Sequence, residues 1–139
     1  MIDDATAGAI ADHIDQLDAR YLQIAAEQLA GTPVTAADLV AMIVLEAHPD
    51  GLSQTAWGQQ QGVSRQRAHT IAGKLARQGF VQVERAGRAS RVGLAPPGAR
   101  FLEAHRGPIE RALASSMTSL DAAEARVLLA LLSPLVGPR

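Results

Sequence analysis

The sequence predicts a mainly α-helical chain carrying one small β-hairpin, and three observations lead there. Alanine is abundant in the 139 residues while aromatic residues make up 3%, which favours helices over sheets. Apolar residues recur at spacings of three and four over most of the length. Only between residues 80 and 94 does that spacing shorten to two.

Bulk properties narrow the function classes. With 47% hydrophobic residues the chain can bury a core, and its length suits one domain of ordinary size. There is no cysteine, so disulfides, thiolate metal sites and thiol redox chemistry are excluded. No apolar run is long enough to span a membrane, and the acidic, polar-interrupted start MIDDATAGAIADHIDQ does not read as a signal peptide. The expected location is the cytoplasm.

The first helix is expected over about residues 5–30, where Ile10, Ile14, Leu17, Tyr21 and Ile24 form a heptad-like stripe suited to packing against another long helix. Gly31 and Pro33 end it. A second helix starts at Thr35, which forms a capping box with Asp38, buries Leu39, Met42 and Ile43, and stops by His48-Pro49. A short third helix is capped by Ser53, with Leu52 and Trp57 in the staple positions. The stretch QGVS (61–64) makes a tight turn, and Ser64 caps a fourth helix with Ala68, Ile71, Ala72 and Leu75 inward. Gly79 closes that helix. Val81 and Val83, then Val92 and Leu94, alternate with polar residues around a basic tip RAGRAS (85–90). Pro96-Pro97 opens a fifth helix, expected to bend or break at Gly107-Pro108, and a sixth runs from near Asp121 until Pro134 stops it.

Charge is distributed unevenly along this pattern. The net charge is −1, yet residues 64–91 hold seven basic side chains against Glu84 alone, a local +6, and the remainder carries −7. Such a basic segment is an electrostatic footprint for nucleic acid. Helix, tight turn, helix, then a two-stranded hairpin is the order of a winged helix-turn-helix, in which the second helix enters the major groove and the hairpin reaches the flanking backbone. A 3.6-residue period places Gln66, Thr70, Gly73 and Arg77 opposite the inward face, with Arg67, His69 and Lys74 beside them and Arg65 near the cap. Arginine pairs bidentately with guanine and glutamine with adenine. Ser64, Thr70 and Lys74 suit phosphates. The expected DNA-binding set is therefore Ser64, Arg65, Gln66, Arg67, His69, Thr70, Lys74 and Arg77, with Arg85, Arg88 and Arg91 from the hairpin.

At these residues the chain resembles the MarR-type transcriptional regulators. VTAADLVAMIVL (34–45) is similar to that family's second helix, LSQTAWGQQQGVSRQRAHTIAGKLARQGFV (52–81) to its helix-turn-helix, and VGLAPPGARFLE (92–103) to its strand and long fifth helix. There are departures. Arg88 matches the arginine of the wing's Asp-x-Arg pair, but Ala86 stands where aspartate is expected. Gln61 fills a usually aliphatic position, and Ala95 replaces a threonine cap. The resemblance implies a homodimer built from residues 1–33 and 96–139, with Ile10, Ile14, Leu17, Leu128, Leu131 and Leu132 in the interface. It implies a DNA-binding lobe at 34–95 and a near-palindromic double-stranded operator. It also implies repressor action tuned by a small aromatic or phenolic effector, for which Tyr21, Met42, Arg100 and Phe101 are the candidate lining.

No other chemistry has a constellation behind it. The four histidines, at 13, 48, 69 and 105, lie on separate elements without HxxxH or HExxH spacing. There is no phosphate-cradling glycine loop and no G-x-S-x-G, so neither an enzyme, a metal site nor a cofactor is expected. The competing reading is a winged-helix module for protein interaction or effector binding whose DNA binding is lost or weak.

Overall fold

Local capping sets most of the element boundaries. A computed structural model describes residues 1–136, leaving out the side chain of Ala86. The Asp3 carboxylate accepts from the backbone of Thr6 at 2.7 Å and starts α1 (Asp4–Gln28). Thr35 and Asp38 form both bonds of a capping box at the head of α2 (Ala36–Glu46). Leu52 and Ser53 make a two-residue strand, β1, and Ser53 then caps α3 (Gln54–Gln61). Ser64 caps α4 (Arg65–Arg77) through Arg67 N at 3.1 Å. The hairpin is β2 (Val81–Ala86) and β3 (Ala89–Leu94), followed by α5 (Pro96–Ser116) and α6 (Ala122–Val136). Asp121 and Glu124 form a second capping box ahead of α6.

The α3–α4 turn is fixed by backbone geometry. Gly62 is left-handed at φ 69°, Val63 N donates to Gly58 O, and Gly62 N donates to Gln59 O, so α3 ends in a Schellman motif two residues before Ser64 begins the next helix. The same motif closes α4 at Gly79 (φ 78°), with Phe80 N bonded to Leu75 O and Gly79 N to Ala76 O. The two helices touch closely: a Cβ on buried Gly58 would stand 3.0 Å from Ala68 Cβ.

The core lies beneath this pair. Leu39, Met42 and Leu45 of α2, Trp57 of α3, Leu75 of α4, Val92 of β3, and Leu102 and Ile109 of α5 are fully buried. Trp57 Nε1 donates to the carbonyl of Ala41 at 2.8 Å, which ties α3 to α2. The inward set of α4 is as the spacing predicts, with Ala68, Ile71, Ala72 and Leu75 all buried.

Four expectations need correction. The sheet has three antiparallel strands in the order β1-β3-β2, because Leu52 pairs with Val92 and Ser53 with Arg91. The hairpin turn is only Gly87-Arg88, since Arg85–Ser90 and Ala86–Ala89 still pair; Gly87 at φ 65° supplies the positive φ that a two-residue turn needs. Helix α5 runs through Pro108 without a break, and α6 runs through Pro134. Each proline removes one helical hydrogen bond; α5 continues to Ser116 beyond Pro108, and α6 ends two residues after Pro134. The expected C-terminal unit 96–139 extends past the described residues at 137–139.

Among the described residues no helix is long and apolar enough to cross a membrane. Two helices have unmet apolar surface: α1 exposes Ile10, Ile14 and Leu17, and α6 more. α6 has no buried residue, and Val127, Leu129, Leu131, Leu135 and Val136 are more than half exposed.

Candidate nucleic-acid interface

Burial of one face of α4 leaves the opposite face open. Ser64, Arg65, Gln66, Arg67, His69, Thr70 and Arg77 are all exposed. Arg65 and Arg67 lie in the first turn, where no acidic residue answers them. The Ser64 hydroxyl holds the helix start, and Thr70 Oγ1 donates back to Gln66 O at 3.0 Å. The Gln54 amide reaches Nδ1 of His69 in a long contact of 3.4 Å, so the head of α3 meets the outward side of α4.

The wing adds to the same face. Arg65 at the start of α4 and Arg88 at the hairpin turn line one cleft of about 180 Å³, together with Ser53, Gln54, Thr55 and Ser90. Helix α4 and the wing tip thus present cations to a shared concavity floored by the N-terminus of α3. Arg85 is exposed on β2 beside it. Sequence spacing does not point to Gln54, Thr55 or Ser90; the capping position of Ser53 is the available signal for the first two.

Two of the sequence-predicted cations are held by the protein itself. Lys74 Nζ pairs with Asp38 Oδ2 at 2.5 Å, and Asp38 is the one buried charged residue among those described. Lys74 therefore leans toward α2. Arg91 donates through Nε to Asp50 O at 3.0 Å and through Nη2 to Gly51 O at 3.1 Å. It docks the α2–β1 loop onto β3, where Gly51 (φ 81°) sits so close to Val92 O that a Cβ would lie 2.6 Å away. Arg67 remains exposed but also borders a cavity of about 350 Å³ with Asp18, Gln60 and Gln61.

The expected effector lining does not assemble. Met42 is fully buried in the core. Phe101 packs between Phe80 (centroids 5.1 Å) and His105 (4.0 Å, stacked), and Arg100 is exposed to solvent. Tyr21 borders a cavity of about 510 Å³ shared with Val40, Ile43 and Val44 of α2, Gln60 of α3 and Val136 of α6. Burial raises the Tyr21 phenol above its ordinary value, opposed by the nearby Arg106 charge and reinforced by Glu110 and Asp18. Arg106 is itself paired with Glu46 and Glu110.

Five of the six expected interface residues line one feature. Ile10, Ile14 and Leu17 of α1 and Leu128 and Leu132 of α6 line one apolar groove of about 470 Å³, while Leu131 faces outward beside it. Among the described residues no three metal-ligating side chains come together.

This arrangement defines a winged helix-turn-helix with MarR-type architecture, and solved structures share it over nearly the whole chain. A MarR-family transcriptional regulator from Rhodococcus sp. RHA1 superposes with a TM-score of 0.83 at 12% identity, covering 99% of each chain. The S. aureus MepR–DNA complex gives 0.70 at 17% identity, covering 98% of this chain and 97% of that one. Bordetella bronchiseptica BpsR, whose DNA binding is regulated by 6-hydroxynicotinic acid, gives 0.77 at 17% identity, covering 93% and 99%. No protein-family profile and no curated relative matches the sequence.

Proposed function

We propose that this protein is a homodimeric, sequence-specific regulator that binds double-stranded DNA and acts in the cytoplasm as a repressor. The observation that carries the reading is the outward face of α4, with Arg65, Gln66, Arg67, His69 and Thr70 exposed and Arg65 sharing a cleft with the wing's Arg88. Exposed Arg and Gln in the first turns of such a helix are the residues that read base edges. Arg77 and Arg85 supply further positive charge for phosphates. The DNA-bound MepR structure with the same fold supports the assignment.

Residues 34–95 form the DNA-binding lobe in this reading, and residues 1–33 and 96–139 pair two copies. The apolar groove between α1 and α6, and the exposed leucines of α6, are surface that a second copy would bury. Two recognition helices about one DNA turn apart then select a near-palindrome. A small aromatic effector fits the cavity beside Tyr21, whose size falls within the ordinary range for ligand pockets. The regulated BpsR supports that part.

Selection from a random duplex library tests the reading. Enrichment of an inverted repeat with half-sites about ten base pairs apart is expected. Recovery of no motif would favour the protein-interaction module instead.

A further inference from the structure

The pair between Lys74 and Asp38 has more behind it than a surface ion pair. Asp38 is 2% exposed, and its Oδ2 accepts both from Thr35 N at 3.0 Å and from Lys74 Nζ. The carboxylate therefore closes the capping box of α2 and holds α4, 36 residues further along the chain. One turn on, Gln78 Nε2 donates to the carbonyl of Pro33 at 3.1 Å, so a second polar tie joins α4 to the approach of α2. The apolar seat of α4 is shallow by comparison, since two of its four buried side chains are alanines. A methyl-lined seat resists sliding and rotation less than one keyed by large side chains.

We propose that Asp38 and Lys74 are positioning residues for DNA recognition: the ion pair, anchored by the buried Asp38 carboxylate, sets the pitch of α4, and Lys74 acts through that helix without touching a phosphate. The inference rests on the DNA-binding reading above and says what its base-reading helix depends on. A helix in the major groove must present its first two turns within a fraction of an ångström of the productive pose. Freed at its C-terminal half, α4 would carry Arg65 and Gln66 out of register with the bases.

The test is a double-mutant cycle on duplex binding, read by fluorescence anisotropy over a range of salt concentrations on an operator selected as above. Asp38→Asn removes the charge but leaves an oxygen to accept from Thr35. Lys74→Met keeps the stem of the lysine. Each single variant and the double variant should weaken binding by the same amount, on the order of tenfold, because all three break one pair. The salt dependence of binding should keep its parental slope. A phosphate ligand releases its counterions on binding, so its removal flattens the slope by about 0.9. Such a flattening in Lys74→Met would overturn the proposal, because Lys74 would then neutralise a phosphate directly. Asp38→Asn binding as tightly as the parent, or more tightly, would overturn it too. Circular dichroism checks folding, and if Lys74→Met does not fold, Asp38→Asn decides alone. A parent protein that binds no duplex refutes the DNA-binding reading and the positioning role with it, whereas a parent that binds while Asp38→Asn is unaffected refutes the positioning role only.

Discussion

Two glycines make opposite predictions for the same chemical change. Gly98 is buried in the first turn of α5, and a Cβ there would overlap the carbonyl oxygen of Phe80 and stand 2.8 Å from Leu94 Cδ1. That carbonyl already accepts from Ala95 N at 3.0 Å, the bond that joins the end of α4 to the start of α5. To admit a methyl group the Phe80 backbone must move. The displacement costs about 1–3 kcal/mol as overpacking, and loosening the Ala95 bond adds about 0.5–1.5 kcal/mol. Against this stands the helix preference of alanine over glycine, about 1 kcal/mol. Gly98→Ala should therefore destabilise by roughly 0.5–3.5 kcal/mol. At half-buried Gly73 a Cβ would meet only the mobile end of Arg77, at 3.3 Å. Gly73→Ala should stabilise by up to about 1 kcal/mol, a rise of about 3 °C in Tm for a chain of this length. Urea unfolding followed by the fluorescence of Trp57, the one tryptophan, measures both at a fixed protein concentration. Equal effects of the two substitutions, or a stabilised Gly98→Ala, would refute the close approach of α5 to Phe80.

Three further predictions concern charge and assembly. Tyr21 is the single tyrosine and its phenol is raised above 10.0 chiefly by burial, so the folded state keeps that proton longer than the unfolded state. Its contribution to stability is complete below about pH 10 and is lost as pH rises through the folded value; ultraviolet titration should show ionisation displaced upward in the native protein and not in urea. Arg88→Ala should weaken duplex binding and flatten its salt dependence, whereas Arg91→Ala should lower thermal stability by about 1–2 kcal/mol by leaving the loop carbonyls without their donor, with the salt slope unchanged. Light scattering should show a dimer in dilute solution, and Leu128→Glu, which puts a charge into the α1–α6 groove, should shift it to monomer; a parental monomer would contradict the assembly.

Much of the fold was legible because it is specified locally. Thr35 with Asp38, Ser53 and Ser64 mark helix starts by chemistry that needs no tertiary partner. The inner face of α4 follows from spacing alone. What escaped the sequence is specified at a distance. A two-residue strand such as β1 has no period of its own and exists only because β3 lies beside it. The pairing of Lys74 with Asp38 joins helices far apart in sequence, and a helical period gives the azimuth of a lysine but not the direction in which its long stem bends. Arg91 looked like a wing cation because the loop carbonyls it binds carry no side-chain signature. Pro108 looked like a break, yet a helix that buries Leu102 and Ile109 on either side of it survives the loss of one bond, while Pro134 falls only two residues before the end of α6 and has little helix left to break. Met42 is taken up by the core, Phe101 by its stacking with Phe80 and His105, and Arg100 is left to solvent, which composition does not encode.

The central claim is that the outward face of α4 reads duplex DNA. It is tested most directly by measuring binding of the parent and of the Arg65→Ala/Arg67→Ala double variant to a selected duplex as salt is raised. The parent should bind at low salt and weaken steeply, about a thousandfold between ~50 and ~200 mM if about six phosphates are neutralised. The double variant should bind more weakly by several kcal/mol, at about 1–3 kcal/mol for each bidentate pair removed. A double variant that binds the same duplex as tightly as the parent, with the same salt dependence, would contradict the assignment.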